Sequence, residues 1–244
     1  MHQFNQTTAV FLATTWLFAC VGLGETQTGS GNAKSEDREL PEFSRISVAG
    51  SMDVFLTPGT GQSVRVEADD NLLPYIRTEV DDEALHIGTR PNFNIRPRRP
   101  IRVYITLPHL TGIAVSGSGD VESEGEFETD KMDLRVSGSG HITLPVATKF
   151  MDTHISGSGK IILRGTAQEM ACNISGSGSL DARQLTARDV SAKISGSGSS
   201  LVNARGFLRA SVSGSGHVWY YGDPEDVETS ISGSGSVKKK ARVY

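Results

Sequence analysis

Apolar and polar residues alternate with a period of two through the second half of the chain, and the alternation restarts in nearly equal steps. Each step contains a five-residue core with Val or Ile first, followed by Ser-Gly-Ser-Gly. The seven cores are spaced by 18 to 21 residues and begin at Val115, Val136, Ile155, Ile174, Ile194, Val212 and Ile231. A period of two over about ten residues is typical of a β-strand with one buried face. The pattern therefore predicts one strand-rich coil for each core.

The alternation continues through the core itself. If Val or Ile points inward, both glycines point inward and both serines point outward. Met132, Met151 and Met170 lie four positions before their cores, and Cys172 lies two before its own, so we expect all four side chains in the interior. An inward glycine lets the backbone bend or approach its neighbour closely. Each coil should therefore turn at its Ser-Gly-Ser-Gly segment.

The repeat length favours a β-solenoid. A coil of this size has a perimeter of about 60 Å, enough for two or three short strands, and stacking at about 4.8 Å lets each coil pair with the next. Propeller blades need about 40 residues and helical repeats about 33 or more. One coil cannot bury its apolar face alone, which explains the repetition. We predict an all-β parallel β-helix, or β-solenoid, with coils of about 19 residues over 111–244.

Residues 40–110 lack the repeated core but share its frame. The segment ISVAGSMDVFL at 46–56 aligns with IAVSGSGDVES at 113–123, so it is interpreted as a degenerate first coil. Further strand-like segments follow it, separated by turn residues. Because the end coils of a solenoid must be protected from edge pairing, residues 40–110 are predicted to form that coil and a cap.

The N-terminal segment 1–20 is predicted to be a signal peptide. The apolar run at 9–20 is too short to span a bilayer but suits a secretion signal. Leu17 to Cys20 resembles a bacterial lipobox, which makes Cys20 the expected lipidation site and a lipid anchor the expected membrane attachment. Phe18 is bulky for that motif and no Lys or Arg precedes it, so ordinary cleavage near Gly24 is the alternative. The polar residues 21–39 are predicted to be a flexible tether.

Three segments carry a resemblance to a known family. FSRISVAGSMDVFLTPG, NLLPYIRTEVDDEALHI and VYITLPHLTGIAVSGSGDVE occur in order, followed by the repeated cores. Together they resemble the bacterial family named "putative auto-transporter adhesin, head GIN domain", from residue 43 to about residue 240. The resemblance implies an exported, repeat-built β-helical protein of the Gram-negative cell envelope, either secreted or attached to the outer membrane as a lipoprotein. It carries no catalytic residue set.

Composition and charge narrow the function classes. A net charge of −4 and two short basic runs, at 96–102 and 238–242, do not form the concentrated positive face that a nucleic-acid partner requires. The histidines show no spacing typical of zinc sites, and the repeats lack the regular Asp of calcium-binding solenoids. We therefore expect no nucleic-acid partner, no metal and no cofactor.

One row of outward residues carries side chains that could take part in catalysis. The position after each core holds Asp120, His141 and Lys160 in three successive coils, which should lie about 5 Å apart. Parallel β-helix polysaccharide lyases and hydrolases work from such rows, so a carbohydrate-active enzyme is an alternative function. A glycosidase needs a pair of carboxylates, and this row offers only Asp120. We predict that the protein is not an enzyme.

The outward serines form the predicted interaction surface. Two columns of hydroxyls should cross the stack as a flat grid, suited to a surface glycan or protein partner, or to another copy of the chain. Ice binding is a further alternative, although ice-binding solenoids usually display Thr. The columns are Ser116, Ser137, Ser156, Ser175, Ser195, Ser213 and Ser232, and Ser118, Ser139, Ser158, Ser177, Ser197, Ser215 and Ser234. The predicted function is adhesion through a rigid repetitive surface; a self-associating envelope component is the third possibility.

Overall fold

The computed structural model describes residues 25–241, so the predicted signal peptide and Cys20 lie outside the described residues. Within that range the chain forms strands and a single short 3₁₀-helix at Leu73–Tyr75, with no α-helix. The strands are β1 Glu25–Thr28, β2 Ala33–Arg38, β3 Arg45–Gly50, β4 Asp53–Pro58, β5 Ser63–Asp69, β6 Ile76–Asp81, β7 Ala84–Thr89, β8 Phe93–Arg96, β9 Arg102–Leu107, β10 Gly112–Gly117, β11 Asp120–Ser123, β12 Phe127–Gly138, β13 His141–Gly157, β14 Lys160–Gly176, β15 Ser179–Gly196, β16 Ser199–Ala204, β17 Phe207–Gly214, β18 His217–Tyr221, β19 Asp226–Ser232 and β20 Ser236–Lys239.

Parallel pairing builds two stacks that run the length of the molecule. Strand segments that lead into the cores form stack A, in the order β7, β3, β10, β12, β13, β14, β15, β17, β19. Segments that follow the cores form stack B, in the order β9, β4, β11, β13, β14, β15, β16, β18, β20. Val136 pairs with Ile155 and Ile155 with Ile174, so the cores lie over one another. The predicted all-β solenoid is confirmed.

The interior is a set of apolar ladders. Met132, Met151 and Met170 pair in register and are at most 2% exposed, and Val190 continues their column. Cys172 is a free thiol, 1% exposed, in the neighbouring inward column. A coil alone would leave these side chains in water, so burial between coils is the main favourable contribution to folding.

Residues 40–110 contain a coil that stacks on β10 and β11 and further strands that fold back beside it. β3 and β4 pair in register with β10 and β11, and Gly50 lies opposite Gly117. β6 then folds back antiparallel on β7, and β5 pairs antiparallel with β9. Leu72 and Leu73 in the connection between β5 and β6 are buried, as is Ile76 at the start of β6. The apolar interior is therefore covered at its N-terminal end.

The predicted flexible tether at 21–39 differs from the structure over its described part. β1 pairs with β8, and β2 pairs antiparallel with β5 along six residues. The buried carboxylate of Asp69 accepts hydrogen bonds from the backbone N–H groups of Gly31 and Arg98, both at 2.8 Å, which fixes the turn between β1 and β2. The polar composition suggested a linker because edge strands are often polar and depend on backbone pairing rather than on apolar burial.

Candidate functional site: the serine ridge and its surroundings

The Ser-Gly-Ser-Gly segment is the turn between the two stacks. In six of the seven cores the stack A strand ends at the first glycine, and in the last core it ends at Ser232; stack B strands begin just after the second glycine. All seven first glycines have φ between +112° and +122°, a region that side-chain-bearing residues rarely adopt. The first glycine is half-exposed at the bend, not inward as the alternation predicted, whereas the second glycine is buried in six of the seven copies.

The glycines also let adjacent coils approach closely. A Cβ on Gly157 would lie 2.7 Å from the carbonyl oxygen of Gly138 in the preceding coil. A Cβ on Gly178, a second glycine, would lie 2.4 Å from the Cγ2 atom of Ile155 and 2.9 Å from the carbonyl oxygen of Gly159. These are shorter than van der Waals contact, and the opposing backbone is held by the sheet. The stacking distance at the turn therefore requires glycine at both positions.

Backbone hydrogen bonds tie each turn to the previous one. The N–H of Ser158 donates to the carbonyl of Gly138 at 2.9 Å, and the N–H of Ser177 donates to the carbonyl of Gly157 at the same distance. The same bond recurs from Ser139, Ser197 and Ser215. The second serine of these cores is thereby held in place by its backbone, which leaves its side chain free.

All fourteen core serines are exposed, and in residues 25–241 none of their hydroxyls bonds to another protein group. The first serines pair in register from Ser116 to Ser232. Because the chain bends between the two columns, they follow a ridge rather than the flat grid expected from the sequence. We call this surface, formed by the fourteen core serines, the serine ridge.

The fold does not require these hydroxyls. Ala49 in the first coil lies opposite Ser116, and the same turn forms there at Gly50, with φ of +97°. The exposed positions beside the ridge vary from coil to coil, so recent copying of one coil does not explain the uniform serines. The residues one position before the cores are Ala114, Arg135, His154, Asn173, Lys193, Ser211 and Ser230.

The structure brings together the three residues that were predicted to form a row beside the ridge. Asp120 pairs with His141, and His141 with Lys160. The Nδ1 atom of His141 lies 2.8 Å from Oδ1 of Asp120, and both side chains are more than half exposed, at 52% and 59%. These three residues therefore lie together on an open face rather than in a cleft.

The structure adds a second carboxylate to this row. Val54 pairs with Val121, so Asp53 lies beside Asp120. Burial raises the pKa of Asp53, the charge of Asp120 raises it further, and Arg102 on the opposite side opposes the shift. The sequence prediction of a single carboxylate in the row was wrong, because Asp53 belongs to the degenerate coil. Its alignment with Asp120 in the matched segments ISVAGSMDVFL and IAVSGSGDVES was the available signal.

A groove at the far end of the stack A strands was also missed. It has a volume of about 540 Å³ and is lined by apolar, acidic and basic side chains. Phe150, 47% exposed, and Phe207 both lie five positions before a core, a shared offset that could have revealed them. Arg209 lies 5.4 Å over the Phe207 ring, and Glu169 and Asp189 lie between the two rings along the groove.

The free thiol and the potential metal ligands are the remaining reactive groups of the described chain. Burial raises the pKa of the Cys172 thiol to about 11, against the hydrogen bonds from Thr153 and Ser200, so the thiol stays protonated and unreactive. Among residues 25–241 there is no group of three or more His, Cys, Asp or Glu placed to hold a metal ion. No helix in the same range has the length and apolarity to cross a bilayer.

Most of the solenoid matches a known protein family. Residues 42–224 match the family model described as "Putative auto-transporter adhesin, head GIN domain". The chain belongs to this family. An adhesin-type family suggests a surface or exported protein, and no functionally curated protein matches the chain.

Three crystal structures share the family's fold with this chain. A "putative adhesin" from Bacteroides fragilis NCTC 9343 is 28% identical, with a TM-score of 0.84 over 88% of this chain and 100% of its own. A "putative lipid binding protein" from Parabacteroides distasonis ATCC 8503 is 25% identical, with a TM-score of 0.76 over 89% and 100%. A "putative adhesin" from the same strain is 26% identical, with a TM-score of 0.73 over 88% and 100%.

Proposed function

We propose that this protein is a non-enzymatic, exported adhesin whose serine ridge binds a surface glycan or protein. One observation carries the proposal: fourteen exposed serines are uniform across seven coils although the fold does not need their hydroxyls. Positions next to them, such as Arg135 and His154, change from coil to coil. A constraint other than folding therefore acts on the ridge, and binding is the constraint that an exposed hydroxyl can satisfy.

The physical mechanism is addition of weak contacts on a rigid support. Each hydroxyl offers one donor and two acceptor positions, and no protein group within residues 25–241 occupies them, so a ligand would compete only with solvent. The glycine turns and their inter-coil hydrogen bonds fix the hydroxyls before a ligand arrives, so little conformational entropy is lost on binding. Adjacent coils repeat at about 4.8 Å, which gives an extended polyhydroxyl ligand many equivalent contacts along the ridge.

Glycan-array binding of the purified chain tests this function. The triple variant Ser137→Ala, Ser156→Ala, Ser175→Ala removes three adjacent hydroxyls, and Ala49 shows that the turn accepts alanine at this position. We expect at least a tenfold loss of affinity, because each hydrogen bond removed contributes about 0.5–1.5 kcal/mol. Pull-down from surface extracts repeats the comparison for a protein ligand.

The matched control changes three exposed or half-exposed residues, each two positions before a mutated serine in the same coil. Arg135→Ala, His154→Ala, Asn173→Ala removes comparable polar surface beside the ridge but keeps every serine. It should retain most of the affinity. Equal loss in both triple variants, or unchanged binding after removal of the serines, would contradict the role of the ridge.

Export and anchoring are part of the proposal. The lipobox-like segment ending at Cys20 supports attachment to the outer membrane through a lipid, with the solenoid carried on the surface. Metabolic labelling with a fatty acid should mark the wild-type chain and not the Cys20→Ala variant. A chain that is secreted unlabelled would support ordinary signal cleavage instead.

A second function is supported by the pair formed by Asp53 and Asp120. Two neighbouring carboxylates, one with a raised pKa, are the groups that a glycosidase uses, and His141 and Lys160 extend the row. A screen for reducing ends and unsaturated uronates on acidic glycans tests it. Activity that is lost in both Asp53→Asn and Asp120→Asn would establish the enzyme. The exposure of Asp120 and His141 on an open face favours adhesion instead.

A further inference from the structure

The last coil is open at its outer edge. β19 pairs only with β17 and β20 only with β18 within residues 25–241. Val227 and Ile231 are 37% and 47% exposed, whereas Leu208 and Val212 at the same positions of the preceding coil are 0% and 1% exposed. The apolar interior therefore reaches the C-terminal end of the stack, next to unpaired backbone N–H and C=O groups.

This exposure contrasts with the other end of the molecule, where antiparallel strands and the loop containing Leu72 and Leu73 cover the interior. A parallel strand edge with apolar side chains is a template for pairing with another strand. Within residues 25–241 the chain folds over the first end and leaves the last coil uncovered, so in this range the last coil offers a surface for association.

We propose that β19 is a self-association surface that pairs antiparallel with β19 of a second copy across a two-fold axis. This inference is independent of the proposed function of the serine ridge. Centred on Thr229, the pairing places Val227 opposite Ile231 of the second copy, on the interior side of both sheets. The two interiors then continue into one another, and the unpaired backbone of β19 gains a partner.

The charged residues of β19 are compatible with pairing to a second copy of this strand. In the same register Glu228 lies opposite Ser230 and Asp226 opposite Ser232 of the second copy, so no like charges face each other. Glu228 is also neutralised within its own chain by Arg209, at 2.9 Å. A closed two-fold pair therefore satisfies the backbone of β19 without like-charge repulsion along that strand.

Head-to-tail stacking is less favourable. It would place β19 against β6, which pairs with β7 beyond the N-terminal end of stack A and carries Glu79 and Asp81. Arg77 on that strand is already paired with Glu79 at 2.8 Å. Asp226 of β19 and Asp81 of β6 lie outside the ion pairs of Arg209 and Arg77, so acidic groups would still meet between the strands, and like charges on opposed strands are destabilising. The geometry favours a dimer over a fibre.

Sedimentation velocity of the purified chain over a dilution series tests the association. We expect a dimer that becomes monomeric when Val227 and Ile231 are both changed to Lys. Phe150→Lys is the control, because Phe150 is as exposed as Ile231 but lies away from the edge. A wild-type chain that stays monomeric, or a double variant that stays dimeric, overturns the proposal.

Disulfide trapping tests the register without disturbing the apolar residues. In a Cys20→Ala background the only other thiol is the buried Cys172. Thr229→Cys should form an intermolecular disulfide on oxidation, because directly opposed residues have Cα atoms about 4.5–5.5 Å apart. Ser230→Cys should not, since Ser230 lies opposite Glu228. Equal trapping at both positions, or trapping at neither, contradicts the two-fold pairing.

Discussion

Replacement of Gly157 by alanine tests the reason for the repeated glycines. Gly157 is the first glycine of the third core, with φ of +112°, and its added Cβ would lie 2.7, 3.2 and 3.4 Å from the O, N and C atoms of Gly138. All three atoms are backbone, and Gly138 pairs with Gly157 in the sheet, so neither can move alone. The substitution combines an unfavourable φ with a steric conflict between coils.

Two control glycines separate these contributions. Gly50 has φ of +97° and no atom within 4 Å of its added Cβ. Gly50→Ala therefore costs only the strain of placing a side chain at a positive φ, about 1–3 kcal/mol. Gly61 has open space and no positive φ, and Gly61→Ala should be neutral or stabilising by up to about 1 kcal/mol. Overpacking adds about 1–3 kcal/mol, so Gly157→Ala should reduce the free energy of unfolding by about 2–6 kcal/mol.

Urea unfolding followed by circular dichroism measures the three variants against the wild type. The decisive quantity is the difference between Gly157→Ala and Gly50→Ala, which isolates the inter-coil contact. If the two variants are destabilised equally, the close approach of the coils does not explain the glycines. Because repeat proteins unfold in parts, a second transition in the Gly157→Ala curve alone would place the weakened contact in the middle of the stack.

Three further predictions concern titrating groups. Burial raises the pKa of Cys172 to about 11. The stability contributed by the protonated thiol should therefore be complete below pH 9.0 and lost as the pH rises toward 11. The urea midpoints of Cys172→Ala should not show this decline. Burial also raises the pKa of Asp53, so Asp53→Asn should have the higher urea midpoint at pH 7 and lose this advantage below pH 3.8, where both states hold the proton. Arg183 lies 2.6 Å from Asp181 and lowers the pKa of that carboxyl. Arg183→Gln should therefore reduce the unfolding free energy at pH 7 by less than about 1 kcal/mol. Thermal melts should show this deficit vanishing as the pH falls below 3.8 through the lowered pKa of Asp181.

The solenoid could be predicted because its constraints are local and repeated. An inward Val or Ile every second position and a glycine at each turn recur at the spacing of one coil, so each copy reports the same geometry. The same alternation placed Met151 and Cys172 correctly in the interior. The first glycine was misplaced, because alternation assumes an extended strand and a positive φ rotates the chain out of that pattern.

The contacts that were missed depend on distant parts of the chain. β2 is polar, and its place beside β5 is decided by backbone pairing that leaves no periodic signal in side chains. Asp53 meets Asp120 only because residues 59–111 fold away and let β11 stack on β4. The groove forms where several coils turn together, so no single coil contains enough of it to be recognised.

Under the proposed function, each five-residue core would divide folding and binding between alternate residues. Its valine or isoleucine fills the interior and its glycines set the turn, and Gly157→Ala should therefore lower stability. Ser156 and Ser158 point to water, so Ser156→Ala should change affinity while leaving the urea midpoint nearly unchanged. The two effects still meet at one place: a Cβ at Gly157 displaces the turn that holds both serines, and binding should then weaken at those coils even where the rest of the solenoid stays folded. A ligand that spans many coils would register such a local shift as a partial loss of affinity, whereas a ligand held at one or two coils would lose it entirely or not at all.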